Sequence, residues 1–204
     1  MSNLRFLIIS LGNQGPYYET FHSAGHHVLN ALQRLLPAQP PFTSTRLGKK
    51  SPLASLGPKY ALVQSPTSMN VSGPWVNATW KQLSQDAGAG PLGLVLVHDE
   101  LESALGVVRR RDWARSPRGH NGLKSVNKSL RQADYPGAMW GRIGVGIGRP
   151  EERDARSVAD YVLAPMSKFQ KGVVEEKGAA GVLKFLQEME EEWVAKEGSG
   201  GDGA

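Results

Sequence analysis

The sequence predicts a single α/β domain in which a mixed, twisted β-sheet is covered by helices. Leu94–Val97 is an unbroken apolar run, and Phe6–Leu11 is apolar except for Ser10; both have strand length and are typical of strands buried on both faces. Other segments carry apolar residues at three- and four-residue steps, which is the spacing of amphipathic helices. Because 204 residues suffice for one large core, we expect residues 1–196 to form the domain and 197–204 a flexible tail.

Strands and helices are predicted to alternate along the chain. Strands are predicted at Phe6–Leu11, Thr43–Leu47, Tyr60–Gln64, Leu92–Leu101, Gly106–Arg111 and Ile143–Ile147. Helices are predicted over Ala24–Leu36, from Ser72 to Leu83, over Leu123–Leu130 and from Ser167 to Trp193. Pro37 ends the first helix, Ser72 is the expected N-cap of the second, and Ser167 with Gln170 has capping-box spacing. The second and third strands are expected to pair across the loop Lys49–Pro58.

Composition excludes several classes of protein. The chain has no cysteine, so disulfides and thiolate chemistry are excluded. No apolar run is long enough for a membrane span, and Met1–Leu11 resembles a first strand more than a secretory signal. We therefore expect a cytoplasmic protein, with a mitochondrial location as the alternative. The formal net charge of +5 fits a polyanionic partner such as nucleic acid.

Polar side chains follow several predicted strands or begin predicted helices. They are Asn13, His22, Met69-Asn70, His98-Asp99 and His120-Asn121. Each residue taken singly is more typical of a turn or a helix cap. Open α/β sheets, however, bind ligands at the carboxyl ends of their strands. The set as a whole therefore predicts a site at that edge.

These residue types suit the hydrolysis of an ester or amide. A histidine accepts a proton near neutral pH, and the macrodipole at a helix amino end would keep His22 neutral. An aspartate such as Asp99 would fix the tautomer of the imidazole, and asparagine amides can donate to a developing oxyanion. The set suits attack by an activated water without a metal, a cofactor or a covalent intermediate.

A metal site is the rival interpretation. The candidate ligands are His22, His26, His98, Asp99, Glu100 and His120. No H-E-x-x-H motif is present, so we rank metal below water activation. The chain also lacks the common phosphate-binding motifs. Gly12–Gly15 does not continue as a P-loop requires, and Gly144–Gly148 does not continue as a Rossmann turn requires.

An arginine-rich stretch lies between two of the polar segments. Arg109–Arg118 contains five arginines and runs from His98-Asp99 towards His120-Asn121. A polyanion bound there would lie beside the candidate site, and Lys124 and Arg142 would extend the surface. By composition alone, a solvated loop is an equally good explanation.

Together these segments resemble the bacterial-type peptidyl-tRNA hydrolase family, over roughly Leu4 to Trp193. The resemblance is carried by Leu11–Gly15, Tyr18–Gly25, Pro66–Gly73, His98–Glu102, Gly119–Lys124 and Arg142–Pro150. It implies a monomeric α/β enzyme that hydrolyses the ester between a peptide and the 3′ end of tRNA, so that the tRNA can be reused.

The resemblance also implies a role for each matching residue. His22 would activate water, Asp99 would orient it, and Asn13 would complete the catalytic set. The substrate would be bound by Met69, Asn70, His120 and Asn121. The tRNA phosphates would be contacted by Arg109, Arg111, Lys124 and Arg142. The chain departs from the family's pattern at Gln14, Phe21, Ser23, Ser68 and the usually glycine-rich segment Arg115–Arg118.

Overall fold

A mixed seven-stranded sheet organises the computed structural model, which describes residues 4–86 and 91–199. The strands are β1 Arg5–Ser10, β2 Thr43–Ser44, β3 Leu53–Leu56, β4 Tyr60–Gln64, β5 Leu92–Glu100, β6 Val108–Arg111 and β7 Trp140–Gly146. The helices are α1 Ala24–Leu35, α2 Ser72–Asp86, α3 Asn121–Ser129, α4 Ala155–Val162 and α5 Lys168–Ser199. The predicted α/β fold with a mixed sheet covered by helices is thus confirmed.

Parallel strands form the centre of the sheet, whose order is β2-β3-β4-β1-β5-β7-β6. β1 pairs in parallel with β4 and β5, and β5 with β7. The outer strands β2, β3 and β6 pair antiparallel. Because the parallel strands point the same way, their carboxyl ends share one edge of the sheet.

The two faces of the sheet support two apolar cores. Phe6 and Ile8 of β1 belong to the core covered by α1 and α5. Leu7 and Ile9 belong to the core covered by α2 and α3. Side chains alternate between the faces of a strand, so a strand covered on both sides must be apolar throughout. This explains the apolar runs in the sequence.

Close backbone packing explains the glycine alternation in β7. A Cβ on Gly146 would lie 2.0 Å from the carbonyl oxygen of Ala104. The strand therefore needs glycine where the β5–β6 connection crosses it.

The predicted strand pairing in the first half was wrong. β3 lies inside the segment Lys49–Pro58, which was expected to be a loop, and β4 pairs with β3 rather than with Thr43–Leu47. Ala54 and Ser55 are small and buried, and the apolar residues on either side of them are exposed. A hydrophobic pattern therefore gave little indication of this strand.

The helix ends also differ from expectation. α4 was not predicted, and Asp154 caps it by accepting hydrogen bonds from the backbone N–H groups of Arg156 and Ser157. Ser72 is not an N-cap, because it is the first residue of α2 and its hydroxyl donates to the carbonyl of Met69. The capping box of Ser167 and Gln170 is confirmed by reciprocal bonds of 2.9 and 3.2 Å.

The long α5 reaches into the segment expected to be a tail. It continues to Ser199, and the rest of that segment, 200–204, lies outside the described residues. Residues 87–90, between α2 and β5, also lie outside the described residues. None of the described helices combines the length and the apolar character that crossing a membrane requires.

Candidate active site

Three neighbouring strands deliver polar residues to one edge of the sheet. Ser10 at the end of β1 is in register with Gln64 of β4 and Val97 of β5. The segments that follow these positions carry Asn13, Met69-Asn70 and His98-Asp99. The strand order reverses at β1, with β4 on one side of it and β5 on the other. Open α/β sheets bind ligands at such a point.

The centre of this edge is a carboxylate shared by two imidazoles. Oδ1 of Asp99 lies 2.8 Å from Nδ1 of His22 and 3.0 Å from Nε2 of His120. The three residues come from β5, from the short 3-10 turn before α1 and from the start of α3. The side chain of Asp99 is only 2% exposed, whereas that of His22 is 12% exposed.

Hydrogen bonding fixes which ring nitrogens carry protons. Nδ1 of His120 accepts from the backbone N–H of Leu123, so its Nε2 must donate to Asp99. A carboxylate accepts hydrogen bonds, so Nδ1 of His22 also donates to it. His22 therefore keeps Nε2 available to take a proton.

The prediction that a helix dipole keeps His22 neutral was wrong in direction. Burial lowers the pKa of His22, but the charge of Asp99 and the hydrogen bond to it raise that pKa, and the net value lies above the ordinary 6.5. Burial would raise the pKa of Asp99, but the two imidazoles hold it well below its ordinary value. A direct contact with a buried carboxylate outweighs the partial charge at a helix end.

The three asparagines lie around this centre. Asn13 is held by its neighbours, since its backbone N–H donates to Ser23 Oγ and its Oδ1 accepts from the N–H of Met69. Its side-chain NH₂ therefore remains as a donor. Asn70 and Asn121 are exposed and line the same cleft, and Met69 is buried in its wall.

The cleft has a volume of about 760 Å³ and one wall that sequence reasoning missed. That wall is α4, which contributes Val158 and Val162 among other small and apolar residues. Tyr17 lies at the mouth and is half exposed. The charged residues of α4 hid its role in the sequence, although Asp154 followed by a short amphipathic segment is a helix signal.

The four cations predicted to contact tRNA are not equivalent: Arg111, Lys124 and Arg142 line the cleft, whereas Arg109 is not part of its lining. Arg109 and Lys124 are exposed, whereas Arg111 is paired with Glu100 at 3.2 Å. Arg142 is 1% exposed and donates to the carbonyls of Asp112 and Arg115. Its predicted place on an open tRNA-binding surface is therefore corrected, because Arg142 lies beneath the loop that it supports.

The metal alternative reduces to one cluster among the described residues. A nitrogen of His22, a nitrogen of His120 and an oxygen of Asp99 lie within 4.8 Å of one another. The contacts of 2.8 and 3.0 Å are shorter than the ~3.4 Å between two ligands of a tetrahedral zinc ion. The nitrogens that face Asp99 also carry protons, so the geometry is that of a hydrogen-bonded triad.

His26 and His98 stand apart from this cluster. His26 is buried beside Ser10 Oγ at 2.7 Å, and Nδ1 of His98 donates to the carbonyl of Asp99 at 2.7 Å. Burial lowers the pKa of each to about 3, so both are neutral.

Known proteins match nearly the whole chain. The family model described as peptidyl-tRNA hydrolase matches residues 7–198. The chain is 36% identical to a peptidyl-tRNA hydrolase of Kineococcus radiotolerans, with 81% of each protein covered. It is 35% identical to that of Rhodococcus erythropolis, with 93% of this chain and 95% of the relative covered.

Solved structures agree in fold. A crystal structure of peptidyl-tRNA hydrolase from Acinetobacter baumannii superposes with a TM-score of 0.69 at 24% identity, covering 96% of this chain and 93% of that one. A point mutant of the Acinetobacter enzyme gives 0.64 at 26% identity, covering 86% and 83%. By its match to the family model and to these relatives, the chain belongs to the peptidyl-tRNA hydrolase family.

Proposed function

We propose that this enzyme hydrolyses the ester between a peptide and the 3′ end of tRNA, with His22 as the base that activates water. The observation that carries the proposal is the 2.8 Å contact between His22 Nδ1 and Asp99 Oδ1 in a cleft edged by arginines. A peptidyl ester on tRNA combines a carbonyl to attack with a polyanion to bind, and the cleft offers groups for both.

The proton path follows from the tautomer of His22. Water attacks the ester carbonyl and gives its proton to Nε2 of His22, while Nδ1–H stays bonded to Asp99. The imidazolium formed is stabilised by the buried carboxylate. It then returns the proton to the departing 3′ oxygen of the ribose, which releases the tRNA and a peptide with a free carboxyl group.

Asn13 is placed to stabilise the negative charge that develops on the carbonyl oxygen. Its Oδ1 is already occupied by the N–H of Met69, which orients the side-chain NH₂ as a donor. Asn70 and Asn121 are exposed in the cleft and offer amides to the peptide backbone and to the terminal ribose. His120 holds Asp99 from its other side and so fixes the carboxylate for His22.

Arg109, Arg111 and Lys124 would contact tRNA phosphates at the edge of the cleft. We propose that the enzyme acts as a monomer, because Asp99, His22 and His120 already form a closed hydrogen-bonded set without a second copy. An enzyme of tRNA recycling would act where translation takes place, which we take to be the cytoplasm.

The test is incubation of the purified enzyme with an N-acetylaminoacyl-tRNA, with and without a strong chelator. We expect free tRNA to form at the same rate in both. Loss of activity on chelation would support the His22, Asp99 and His120 cluster as a metal site. Binding of the tRNA without any hydrolysis would show an RNA-binding protein that has lost activity.

The variant is His22→Ala, and its matched control is His27→Ala in the first turn of α1. Loss of a general base lowers turnover by about 10²- to 10⁴-fold. His27 lies outside the cleft lining, so turnover per folded molecule should not change. Near-normal turnover by the His22 variant would remove His22 from the proposed role.

A further inference from the structure

The loop between β6 and α3 carries two arginines whose charges are not neutralised. Arg115 and Arg118 are exposed and line the cleft. In the part of the chain that the structure describes, neither forms an ion pair. Other arginines nearby do: Arg110 pairs with Glu192, and Arg149 with Glu102. Positive charge is therefore available at this side of the opening.

The backbone of this loop is held in place. The N–H of Arg115 bonds to Asp112 O at 3.1 Å, and the N–H of His120 bonds to Pro117 O at 2.8 Å. Arg118 adopts a left-handed conformation with φ of 45°. Arg142 supports the loop from below through the carbonyls of Asp112 and Arg115. The two arginines thus project from a fixed base, which limits the entropy lost on binding.

The loop is close to the reacting atoms. Arg118 precedes His120 by two residues, a span of at most about 7 Å. His120 Nε2 is 3.0 Å from the carboxylate that also binds His22. An anion bound by this loop therefore lies within about one nucleotide of the ester that is cleaved, and not beside the double-stranded stem of the tRNA.

From these contacts we infer that Arg115 and Arg118 bind the phosphodiester groups of the last, single-stranded nucleotides of the substrate. The inference rests on the proposed function, because it names which part of that substrate the loop holds. Backbone phosphates carry no sequence information, so this subsite fixes the ester against His22 rather than selecting a tRNA.

The experiment compares three esters of one N-acetylated amino acid: on adenosine, on the trinucleotide CCA and on whole tRNA. In the Arg115→Gln/Arg118→Gln variant, the ratio of kcat/KM for the trinucleotide to that for adenosine should fall by about tenfold or more. The slope of log kcat/KM against log salt for the trinucleotide should fall by about 1.4, because two contacts to single-stranded phosphates are lost.

Two further variants make the result specific. Arg115→Lys/Arg118→Lys keeps both charges, so it should retain most of the salt slope. Lys49→Gln/Lys50→Gln removes two exposed charges from the β2–β3 connection, at the other end of the strand order, and should change neither quantity.

An unchanged ratio and slope in the glutamine variant would overturn the inference while leaving the proposed function intact. An equal loss on adenosine and on the trinucleotide would also overturn it, since the loop would then support the cleft and not a phosphate. If the wild-type enzyme cleaves none of the three esters, the proposed function fails and the subsite fails with it.

Discussion

At the scale of single residues, one buried carboxylate determines the behaviour of its neighbours. Asp99 accepts from His22 and His120 and stays ionised because both donate to it. The same contact raises the pKa of His22, which makes it a stronger base once it is neutral. The base form is therefore populated only as the pH rises above this raised pKa.

Asp99→Asn should remove both the counter-charge of the His22 imidazolium and the contact that raises the pKa of His22. We expect kcat to fall by about 10²-fold or more, because the imidazolium loses its counter-charge. The acid limb of the profile of kcat/KM against pH should move to lower pH, because Asp99 raises the pKa of His22 and burial alone lowers it. The measurement is that profile from about pH 5 to pH 9.

The control for this change is Asp134→Asn, which alters an exposed carboxylate paired with Arg131 beyond α3. The kcat of this variant and its profile of kcat/KM against pH should match those of the wild type. A slow Asp99→Asn enzyme with an unshifted acid limb would assign that limb to a group other than His22.

At the scale of elements, the packing of α2 against α3 sets the position of the site. A Cβ on Gly73 in α2 would lie 2.0 Å from the carbonyl oxygen of Ser125 in α3. His120, at the start of α3, is bonded to Asp99, and Asn121 lines the cleft. The close crossing of these two helices is thus linked to the placement of His120 and Asn121 in the candidate site.

Gly73→Ala should therefore destabilise the protein, by about 1–3 kcal/mol, because a backbone carbonyl cannot move aside as a flexible side chain can. The matched change is Gly172→Ala in α5, where a Cβ meets nothing within 4 Å. That change should stabilise by about 0.5–1 kcal/mol through the higher helix propensity of alanine. Urea unfolding measures both, and equal effects of the two changes would contradict the packing argument.

At the scale of the whole molecule, charge is distributed unevenly. Acidic residues of α5 neutralise Arg110 and Lys59 through Glu192 and Glu190. Two exposed cations, Lys124 in the cleft lining and Arg109 on β6, form no ion pair within the described ranges. A polyanion is therefore attracted to the cleft side of the sheet rather than to α5.

Arg109→Gln/Lys124→Gln should accordingly weaken tRNA binding and reduce its salt dependence. Each lost phosphate contact lowers the slope of log K against log salt by about 0.9 on duplex RNA, by analogy with B-DNA. Lys168→Gln/Lys177→Gln removes the same charge from α5 and should leave the slope unchanged. Equal slopes in the two double variants would place the RNA surface elsewhere.

Buried neutral histidines should make the fold sensitive to acid. His26 takes a proton in the unfolded chain near its ordinary pKa of 6.5 but in the folded protein only at about 3. Between these values the unfolded state binds more protons, so the free energy of unfolding falls as the pH is lowered. His98, whose pKa is lowered equally, contributes in the same window.

His26→Asn should remove about 1.4 kcal/mol per pH unit from that dependence, since one titrating group is lost. The measurement is urea unfolding from about pH 6 to pH 4.5, above the range where carboxylates dominate. Val28→Ala, a change at a buried position of the same helix, should lower stability without altering the slope. A slope that is unchanged in the His26 variant would assign the acid sensitivity to other groups.

Much of this architecture was predictable from local pattern. The apolar runs of β1 and β5 indicated buried strands, and turn formers or polar residues after them marked the edge where Asn13 and Asp99 lie. The capping box of Ser167 and Gln170 marked the start of α5. These features depend on neighbours in the chain, which a sequence displays directly.

The sequence by itself determined the fold class, the family and the segments that supply the site. Only the tertiary structure decided that β4 pairs with β3, that α4 forms a wall of the cleft and that Arg142 is buried beneath a loop. It also decided the direction of the pKa of His22, through a carboxylate 77 positions away. The physical reason is that strand partners, burial and electrostatic environment depend on contacts between distant parts of the chain, which local composition does not specify.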